Sequence, residues 1–194
     1  MLKNFTKRQM EILTKSIHLL AETGFANLSI RNIAKSVGID EATIYSHFKS
    51  KDEILNTILN IIMNDSVESF NKFDLAETSL IKRLKMYFDK YTKSSEEENA
   101  IISIFWYAFV KIDESYFKRI SEIYAYHRQW LINTVEQGQE NNEIKNDFSP
   151  DNLVAFISGY LSMYSRRCLY LHDYKLEANI HESWKIIEMM LTGR

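Results

Sequence analysis

Four side chains that can donate hydrogen bonds lie close together in the first quarter of the chain: Thr43, Tyr45, His47 and Lys51. Thr43 is a short hydroxyl donor, Tyr45 carries its hydroxyl on a rigid ring, and His47 donates whether its ring is neutral or charged. Lys51 falls in the first turn of a predicted helix, where free backbone amides and the helix dipole also attract an anion. Donors of this kind can fix a protein on the phosphates of nucleic acid, so these residue types are compatible with phosphate contacts.

Two short predicted helices hold these donors. Ser29 can cap a helix that reaches Val37. Gly38 then supplies a tight turn, and Asp40 can cap a further helix that runs to about His47. Ala34 is small enough for the two helices to approach each other, and the residues expected between them are Ile33, Val37, Ile39 and Ile44. This pattern predicts a helix-turn-helix whose second member lies in the major groove of DNA.

Longer helices are predicted on both sides of this pair. The preceding helix begins at a capping box formed by Thr6 and Gln9 and ends at Gly24, for which we expect a left-handed conformation. The following helix begins at a second capping box, formed by Ser50 and Glu53, and its apolar residues repeat at helical spacing. No flexible linker separates this helix from the pair before it.

Residues 12–55 resemble the DNA-binding region of the tetracycline-repressor (TetR) family. The matching residues are Gly24-Phe25, Ser29-Ile30-Arg31-Asn32-Ile33-Ala34, Val37-Gly38-Ile39, Thr43-Ile44-Tyr45-Ser46-His47-Phe48-Lys49-Ser50-Lys51 and Glu53-Ile54-Leu55. The motif covers about a quarter of the chain. The resemblance implies a helix-turn-helix DNA-binding domain over residues 1–50 and a ligand-binding and dimerisation domain over residues 51–194.

The resemblance also implies roles for individual residues. Tyr45, His47 and Lys51 match positions that contact phosphates in the family. Arg31 matches a position that reaches a base or a phosphate, and Ser29 is included in the same predicted surface.

Base selection would then depend on Arg31 together with Glu41, Ala42 and Thr43. Glu41 departs from the neutral residue often found at its position. A glutamate can accept a hydrogen bond from the amino group of cytosine, and Ala42 can contact a thymine methyl group. Equally, Glu41 can be a solvated acid at a helix start and Ala42 a filler.

Composition supports an all-α fold of about nine helices. The chain of 194 residues holds one proline and five glycines, and we find no alternating pattern long enough to predict a sheet. The last five helices are predicted at about 76–94, 97–112, 115–140, 150–172 and 177–191. Residues 1–51 contribute +4 to the net charge of −2 and the remainder −6, which favours an anionic partner for the first part.

Aromatic residues are concentrated in the middle of the chain, as in Tyr87, Phe88, Tyr91, Tyr116 and Tyr124. An aromatic stripe at helical spacing is more often core than pocket, but aromatic walls with a few polar tips suit an apolar or planar ligand. The candidate ligand-binding residues, chosen because they lie near the middles of their helices, are Trp106, Phe109, Tyr126 and Trp130. His127 and Arg128 fit a solvated helix face better than a site for an acidic ligand.

Helices 150–172 and 177–191 carry apolar faces broad enough to pack inside a subunit and against a partner. The resemblance implies that they form a four-helix dimer interface around a two-fold axis. Such a dimer would read a palindromic operator in double-stranded DNA.

These patterns together predict a homodimeric transcriptional repressor that a small apolar or aromatic effector releases from its operator. The alternative is a ligand-independent, architectural DNA-binding dimer. An enzyme is disfavoured because the sequence has no nucleophile elbow, phosphate loop or metal-ligand spacing, so no cofactor and no metal are expected. The single cysteine, Cys168, and the absence of a signal peptide or a long apolar segment predict a cytoplasmic protein without membrane contact.

Overall fold

The computed structural model describes residues 5–93, 114–171 and 179–193. These ranges contain eight α-helices, one short 3-10 helix and no strand. The 3-10 helix spans Phe25–Asn27, and the α-helices are α1 (Lys7–Thr23), α2 (Ile30–Val37), α3 (Glu41–Tyr45), α4 (Lys51–Ala76), α5 (Leu80–Thr92), α6 (Glu114–Glu140), α7 (Pro150–Leu171) and α8 (Ile180–Thr192). The predicted all-α class is confirmed, and the helix predicted at 97–112 lies outside the described residues.

The start of α1 follows its sequence signal. Thr6 Oγ1 accepts from the Gln9 amide at 3.2 Å, and Gln9 Oε1 accepts from the Thr6 amide at 3.0 Å, so the capping box is complete. Gly24 ends the helix with φ 76° and ψ 175°. The positive φ was expected, but the ψ is extended rather than left-handed helical, because the chain turns directly into the 3-10 helix.

α5 begins four residues later than predicted, at Leu80. The carboxylate of Glu143 accepts from both the Leu80 amide and the Ser79 hydroxyl at 2.9 Å. α4 extends to Ala76, which leaves only three residues between the two helices. Since the residue that fixes this helix start is more than sixty positions away, local capping patterns could not place the boundary.

The described residues form two compact units. In the first, residues 5–67 pack with 114–123; in the second, residues 68–93 pack with 124–171 and 179–193. The boundaries between the units fall inside α4 and α6, so each of these helices contributes residues to both.

The second unit has a continuous apolar core drawn from α4 to α8. Phe88 and Tyr164 are almost fully buried, and the Tyr164 hydroxyl donates to the Thr92 carbonyl at 2.9 Å. This hydrogen bond satisfies a polar group that would be costly to leave unpaired in the core. Cys168 is half-buried and packs against the same cluster. Among the described helices, none is both long and apolar enough to cross a bilayer.

Candidate nucleic-acid interface and ligand site

The turn between α2 and α3 depends on Gly38. Its φ of 77° and ψ of 35° lie in the left-handed region, and its amide donates to the Ala34 carbonyl at 2.9 Å. The Ile39 amide donates to the same carbonyl at 3.0 Å. Of the four residues predicted to lie between the two helices, Ile33 and Ile44 are fully buried, whereas Val37 and Ile39 are only half-buried.

α3 is only five residues long and is fixed at its start by Asp40. The Asp40 carboxylate accepts from the Thr43 amide at 2.6 Å. Hydrogen bonds from the side chain and the backbone of Thr43 lower the pKa of Asp40 below its ordinary value of 3.8. The helix ends at Tyr45 rather than at His47, because Ser46 and His47 continue as a tight turn with His47 donating to the Ile44 carbonyl at 3.0 Å.

The predicted DNA-reading face is accessible in the first unit. Arg31, Glu41 and Ala42 are exposed, and the Tyr45 side chain is 53% exposed although it is a large aromatic residue. Thr43 and His47 are half-buried. An exposed tyrosine beside a buried isoleucine on so short a helix leaves its ring and hydroxyl free to meet a partner.

Ser29 has a structural task in addition to the contact predicted for it. Its hydroxyl oxygen accepts from the Asn32 amide at 3.2 Å and thereby caps α2. Asn32 in turn donates from its side chain to the Asn27 carbonyl at 2.8 Å, which ties the start of α2 to the 3-10 helix. This role of Asn32, which is the neighbour of Arg31, has no local signal in the sequence.

The start of α4 presents Lys51 as a half-buried residue in its first turn. Ser50 Oγ accepts from the Glu53 amide at 3.1 Å, as the capping pattern predicted. The Glu53 carboxylate accepts from the Lys49 amide rather than from that of Ser50. The backbone amides of Lys49 and Glu53, on either side of Lys51, are therefore engaged by side-chain oxygens.

The candidate ligand residues of the second unit that are described, Tyr126 and Trp130, both stack on Phe70. The ring centroids of Phe70 and Trp130 are 4.6 Å apart, and those of Phe70 and Tyr126 are 5.5 Å apart. Trp130 Nε1 donates to the Asp74 carboxylate at 3.2 Å. Both side chains are half-buried, so they border the aromatic cluster rather than fill its centre. The other two candidates, Trp106 and Phe109, lie outside the described residues.

His127 adds a polar centre to this cluster. Its Nδ1 lies 3.4 Å from the Tyr87 hydroxyl and 3.3 Å from the Tyr91 hydroxyl, and its ring contacts Phe70 edge-on at 4.9 Å. Burial, reinforced by the charge of Lys90, lowers the pKa of His127 to about 3, so the imidazole is neutral at physiological pH.

The expectation of a solvated helix face was therefore wrong for His127, because the aromatic residues of α4 and α5 cover it. It holds for Arg128, which is exposed and forms an ion pair with Asp151. Burial also raises the pKa values of the Tyr87 and Tyr126 phenols, with the Asp74 charge adding to the shift at Tyr126. The phenols of Tyr87 and Tyr126 and the imidazole of His127 are consequently uncharged at neutral pH.

α7 and α8 each expose large apolar side chains. Phe156 and Met163 are seven residues apart on α7 and are 48% and 41% exposed, whereas Ile186 and Met189 on α8 are 61% and 59% exposed. Gly159 lies between the two α7 residues, and nothing within 4 Å would meet a Cβ added there. The inner faces of the same helices, with Trp184 and Ile187, are buried.

Within the described ranges, no group of three or more histidine, cysteine or acidic residues is arranged to hold a metal ion.

Comparison with known proteins indicates DNA binding, as the exposed helix-turn-helix face does. Residues 12–58 match the family model described as bacterial regulatory proteins, tetR family.

Relatives match over much longer stretches. The fatty acid metabolism regulator protein of Bacillus subtilis is 23% identical over 145 residues, which is 74% of each chain. The HTH-type transcriptional repressor KstR2 of Mycolicibacterium smegmatis is 23% identical over 159 residues, covering 77% of this chain and 74% of that protein. The nucleoid occlusion factor SlmA of Vibrio campbellii is 22% identical over 194 residues and 96% of each chain.

Solved structures show the same fold. The ketosteroid transcriptional regulator KstR2 of Mycobacterium tuberculosis superposes with a TM-score of 0.83 at 20% identity, covering 97% of this chain and 96% of that one. The regulator FadR of Bacillus subtilis, in complex with stearoyl-CoA, has a TM-score of 0.66 at 17% identity, covering 94% and 98%. The exposed helix-turn-helix face lies inside residues 12–58, so the chain carries the DNA-binding segment of the tetR family of bacterial regulatory proteins, within a fold that it shares with solved transcriptional regulators.

Proposed function

We propose that the protein is a homodimeric repressor that binds a palindromic operator through residues 1–50 and is released when residues 51–194 bind a small molecule. It acts in the cytoplasm. The observation that carries the proposal is the exposed face of Arg31, Glu41 and Tyr45 on helices that are capped and packed from behind. A rigid support with exposed polar side chains is what sequence reading in a DNA groove requires.

In this proposal, Tyr45, His47 and Lys51 bind phosphates and set the register on DNA. Arg31, Glu41, Ala42 and Thr43 contact base edges, and Ser29 caps α2 next to them. Because phosphate contacts release counterions, loss of one such contact lowers the dependence of binding on salt by about one unit of slope.

The first test is selection of bound fragments from random and genomic DNA by the purified protein at defined salt. An inverted repeat is expected, with half-sites about 34–36 Å apart along the duplex. The double variant Tyr45→Phe, Lys51→Ala should lose this preference. Lys15→Ala is the matched control, because it removes an equal charge from an exposed position on α1. Weak, salt-sensitive binding without sequence preference would contradict the repressor proposal.

Pairing through α7 and α8 is supported by the apolar residues that both helices expose. The Tyr160 hydroxyl donates to Ser183 Oγ, so the two helices are joined in one surface. A two-fold axis through such a surface pairs it with its own copy, as in other isologous dimers. Ile186→Glu should convert the dimer to a monomer in sedimentation measurements. Leu75→Glu, at an 88% exposed apolar residue of α4, should not. Equal masses for Ile186→Glu and the unaltered protein would contradict this interface.

An effector with a largely apolar or aromatic part is supported by the aromatic stack around Phe70 and by the uncharged Tyr87 and His127 side chains beside it. The relatives named for fatty acid metabolism and for ketosteroids suggest two probes, stearoyl-CoA and a ketosteroid such as androstenedione. Release of operator DNA by either probe, with a change in fluorescence that Trp130→Phe removes, would support a site at this cluster. Release without any contribution from Trp130 would place the effector elsewhere.

The second candidate is a ligand-independent, architectural DNA-binding dimer, which the whole-length similarity to a nucleoid occlusion factor favours. The selection of bound DNA fragments distinguishes the repressor from the architectural protein. A repressor of a few genes selects few genomic sites near promoters, whereas an architectural protein selects many sites spread over the chromosome.

A further inference from the structure

The first turns of α6 belong to the same compact unit as the DNA-reading helices, although they follow them by more than sixty residues. The Tyr116 hydroxyl donates to the Asp52 carboxylate, and the Tyr116 ring stacks with Phe25 at a centroid distance of 6.1 Å and an angle of 29°. One turn further, Arg119 donates to Asn60 on α4. Ile120 is 2% exposed in the same unit. Tyr116 therefore contacts two segments that lead into the predicted DNA surface.

Both of these segments adjoin residues that are proposed to bind DNA. Phe25 lies in the 3-10 helix directly before α2, and Asp52 is the neighbour of Lys51 in the first turn of α4. An aspartate at this place has two opposite effects. It stabilises the positive end of the helix dipole, but its charge repels any phosphate that approaches Lys51.

The direction in which the Asp52 carboxylate points decides which effect prevails. Successive side chains of an α-helix project about 100° apart, so Asp52 can be turned away from a phosphate at Lys51. The neighbouring Glu53 carboxylate is already engaged by the Lys49 amide. Asp52 is exposed, and the Tyr116 hydroxyl donates to its carboxylate from α6.

We propose that Tyr116 is a positioning residue of the DNA-binding surface, which holds Asp52 away from the phosphate that Lys51 binds. The ring of Tyr116 supports the entry to α2 through Phe25, and its hydroxyl orients the carboxylate. Tyr116 itself touches no DNA. This inference rests on the phosphate contact proposed for Lys51.

The test compares Tyr116→Phe, Asp52→Asn and the double variant in the full-length protein. Operator affinity is measured by fluorescence anisotropy at several salt concentrations, with the sequence obtained by selection. Tyr116→Phe keeps the ring on Phe25 and removes only the donor, and we expect about threefold to tenfold weaker binding at low salt, as for one like-charge contact at a solvent-exposed site. In the Asp52→Asn background the same change should have no effect, because the charge to be held is gone.

A purely structural role of Tyr116 predicts a different pattern. It would lower affinity equally in both backgrounds, and that result would overturn the inference, as would a silent Tyr116→Phe. Tyr124→Phe, about two turns later on α6, is the matched control for loss of a phenol hydroxyl. Thermal unfolding of each variant shows whether a lost affinity reflects lost folding.

Lys51→Ala separates this inference from the proposed function. If Lys51→Ala leaves affinity and salt dependence unchanged, the phosphate contact itself is wrong and the inference falls with it. If Lys51→Ala weakens binding while Tyr116→Phe does not, only the positioning role is overturned.

Discussion

The two compact units place their functional residues in opposite ways. In the first unit, Arg31, Glu41 and Tyr45, which are proposed to meet DNA, lie exposed on short helices. The buried residues of the same helices are Ile33, Ala34 and Ile44. In the second unit, the residues proposed to meet a ligand lie in and around the core itself, with Phe70 at 1% exposure between Tyr126 and Trp130.

In the first unit, the residues proposed for function are therefore different from those that stabilise the fold. In the second unit, the same residues are proposed to do both. An exposed side chain such as Tyr45 can be changed with little effect on packing. A side chain in the Phe70 cluster cannot, because the same atoms form the core. Substitutions in each unit test where this contrast holds.

Phe70→Ala should lower the free energy of unfolding by about 3–5 kcal/mol, the cost of removing a buried aromatic side chain from a packed core. Urea denaturation measures the effect. Addition of an apolar effector should recover part of the lost stability if the effector occupies the vacated volume. A cost below about 1 kcal/mol would show that Phe70 already borders open space, so that the second unit is hollow rather than packed.

The buried imidazole of His127 should make the second unit sensitive to acid. Its pKa is lowered in the folded protein, from an ordinary 6.5 to about 3, so the unfolded chain binds the proton first as pH falls. Stability is therefore lost as pH falls below 6.5, by at most roughly 1.4 kcal/mol for each pH unit from this group. Comparing urea denaturation at pH 7.5 and 5.5, we expect a larger loss for the unaltered protein than for His127→Asn. Identical losses would mean that His127 is solvated in solution.

Gly38→Ala tests the turn of the first unit. An added Cβ would meet no atom within 4 Å, but φ is +77°, so the cost is a matter of backbone conformation, about 1–2 kcal/mol. We expect a lower melting temperature and a larger loss of operator affinity, because the angle between α2 and α3 changes.

Gly159→Ala is the matched control for Gly38→Ala, since space is also open there but the glycine lies within α7. A helical alanine should stabilise the monomer by roughly 0.5–1 kcal/mol. A simultaneous loss of dimer stability would place Gly159 at a close crossing between subunits. If both variants were stabilised, the left-handed conformation of Gly38 would not be required.

Asp40 and Ser29 cap neighbouring helices of the first unit with a charged and a neutral side chain. Ser29→Ala should cost about 1 kcal/mol at any pH. The lowered pKa of Asp40 means that its contribution is present above 3.8 and is lost as pH falls through its folded-state value. Asp40→Asn should therefore narrow the stability difference between pH 7 and pH 3, as followed by circular dichroism, while Ser29→Ala should not. An Asp40→Asn profile parallel to that of the unaltered protein would contradict the role of the charge.

The sequence predicted the first unit better than the second, and the reason is the range of the interactions involved. Thr6, Ser29, Asp40 and Ser50 each cap a helix three residues ahead, so their tasks are visible in a short window. The turn at Gly38 is equally local. The helix-turn-helix and the exposure of Tyr45 could thus be predicted without coordinates.

Contacts between distant segments could not be predicted in this way. The start of α5 depends on Glu143, and the first turn of α4 contacts Tyr116, which the sequence grouped only with aromatic residues of the core or pocket. His127 is a polar residue between Tyr126 and Arg128, so its sequence context suggests a surface position. In the structure, side chains of α4 and α5 cover it. Helical spacing assigns a residue to a face but does not say what lies against that face.

The apolar faces of α7 and α8 have a consequence for how the regulator responds to its own abundance. In the dimer proposed above, the two subunits assemble through exposed apolar side chains, namely Phe156, Met163, Ile186 and Met189. Only this dimer contacts both half-sites of the operator, and it is a minor species whenever the protein is scarce. By mass action, halving the amount of protein then reduces the paired form about fourfold. Control of the target genes would therefore be lost abruptly when a dividing cell inherits too few copies, without any effector being present.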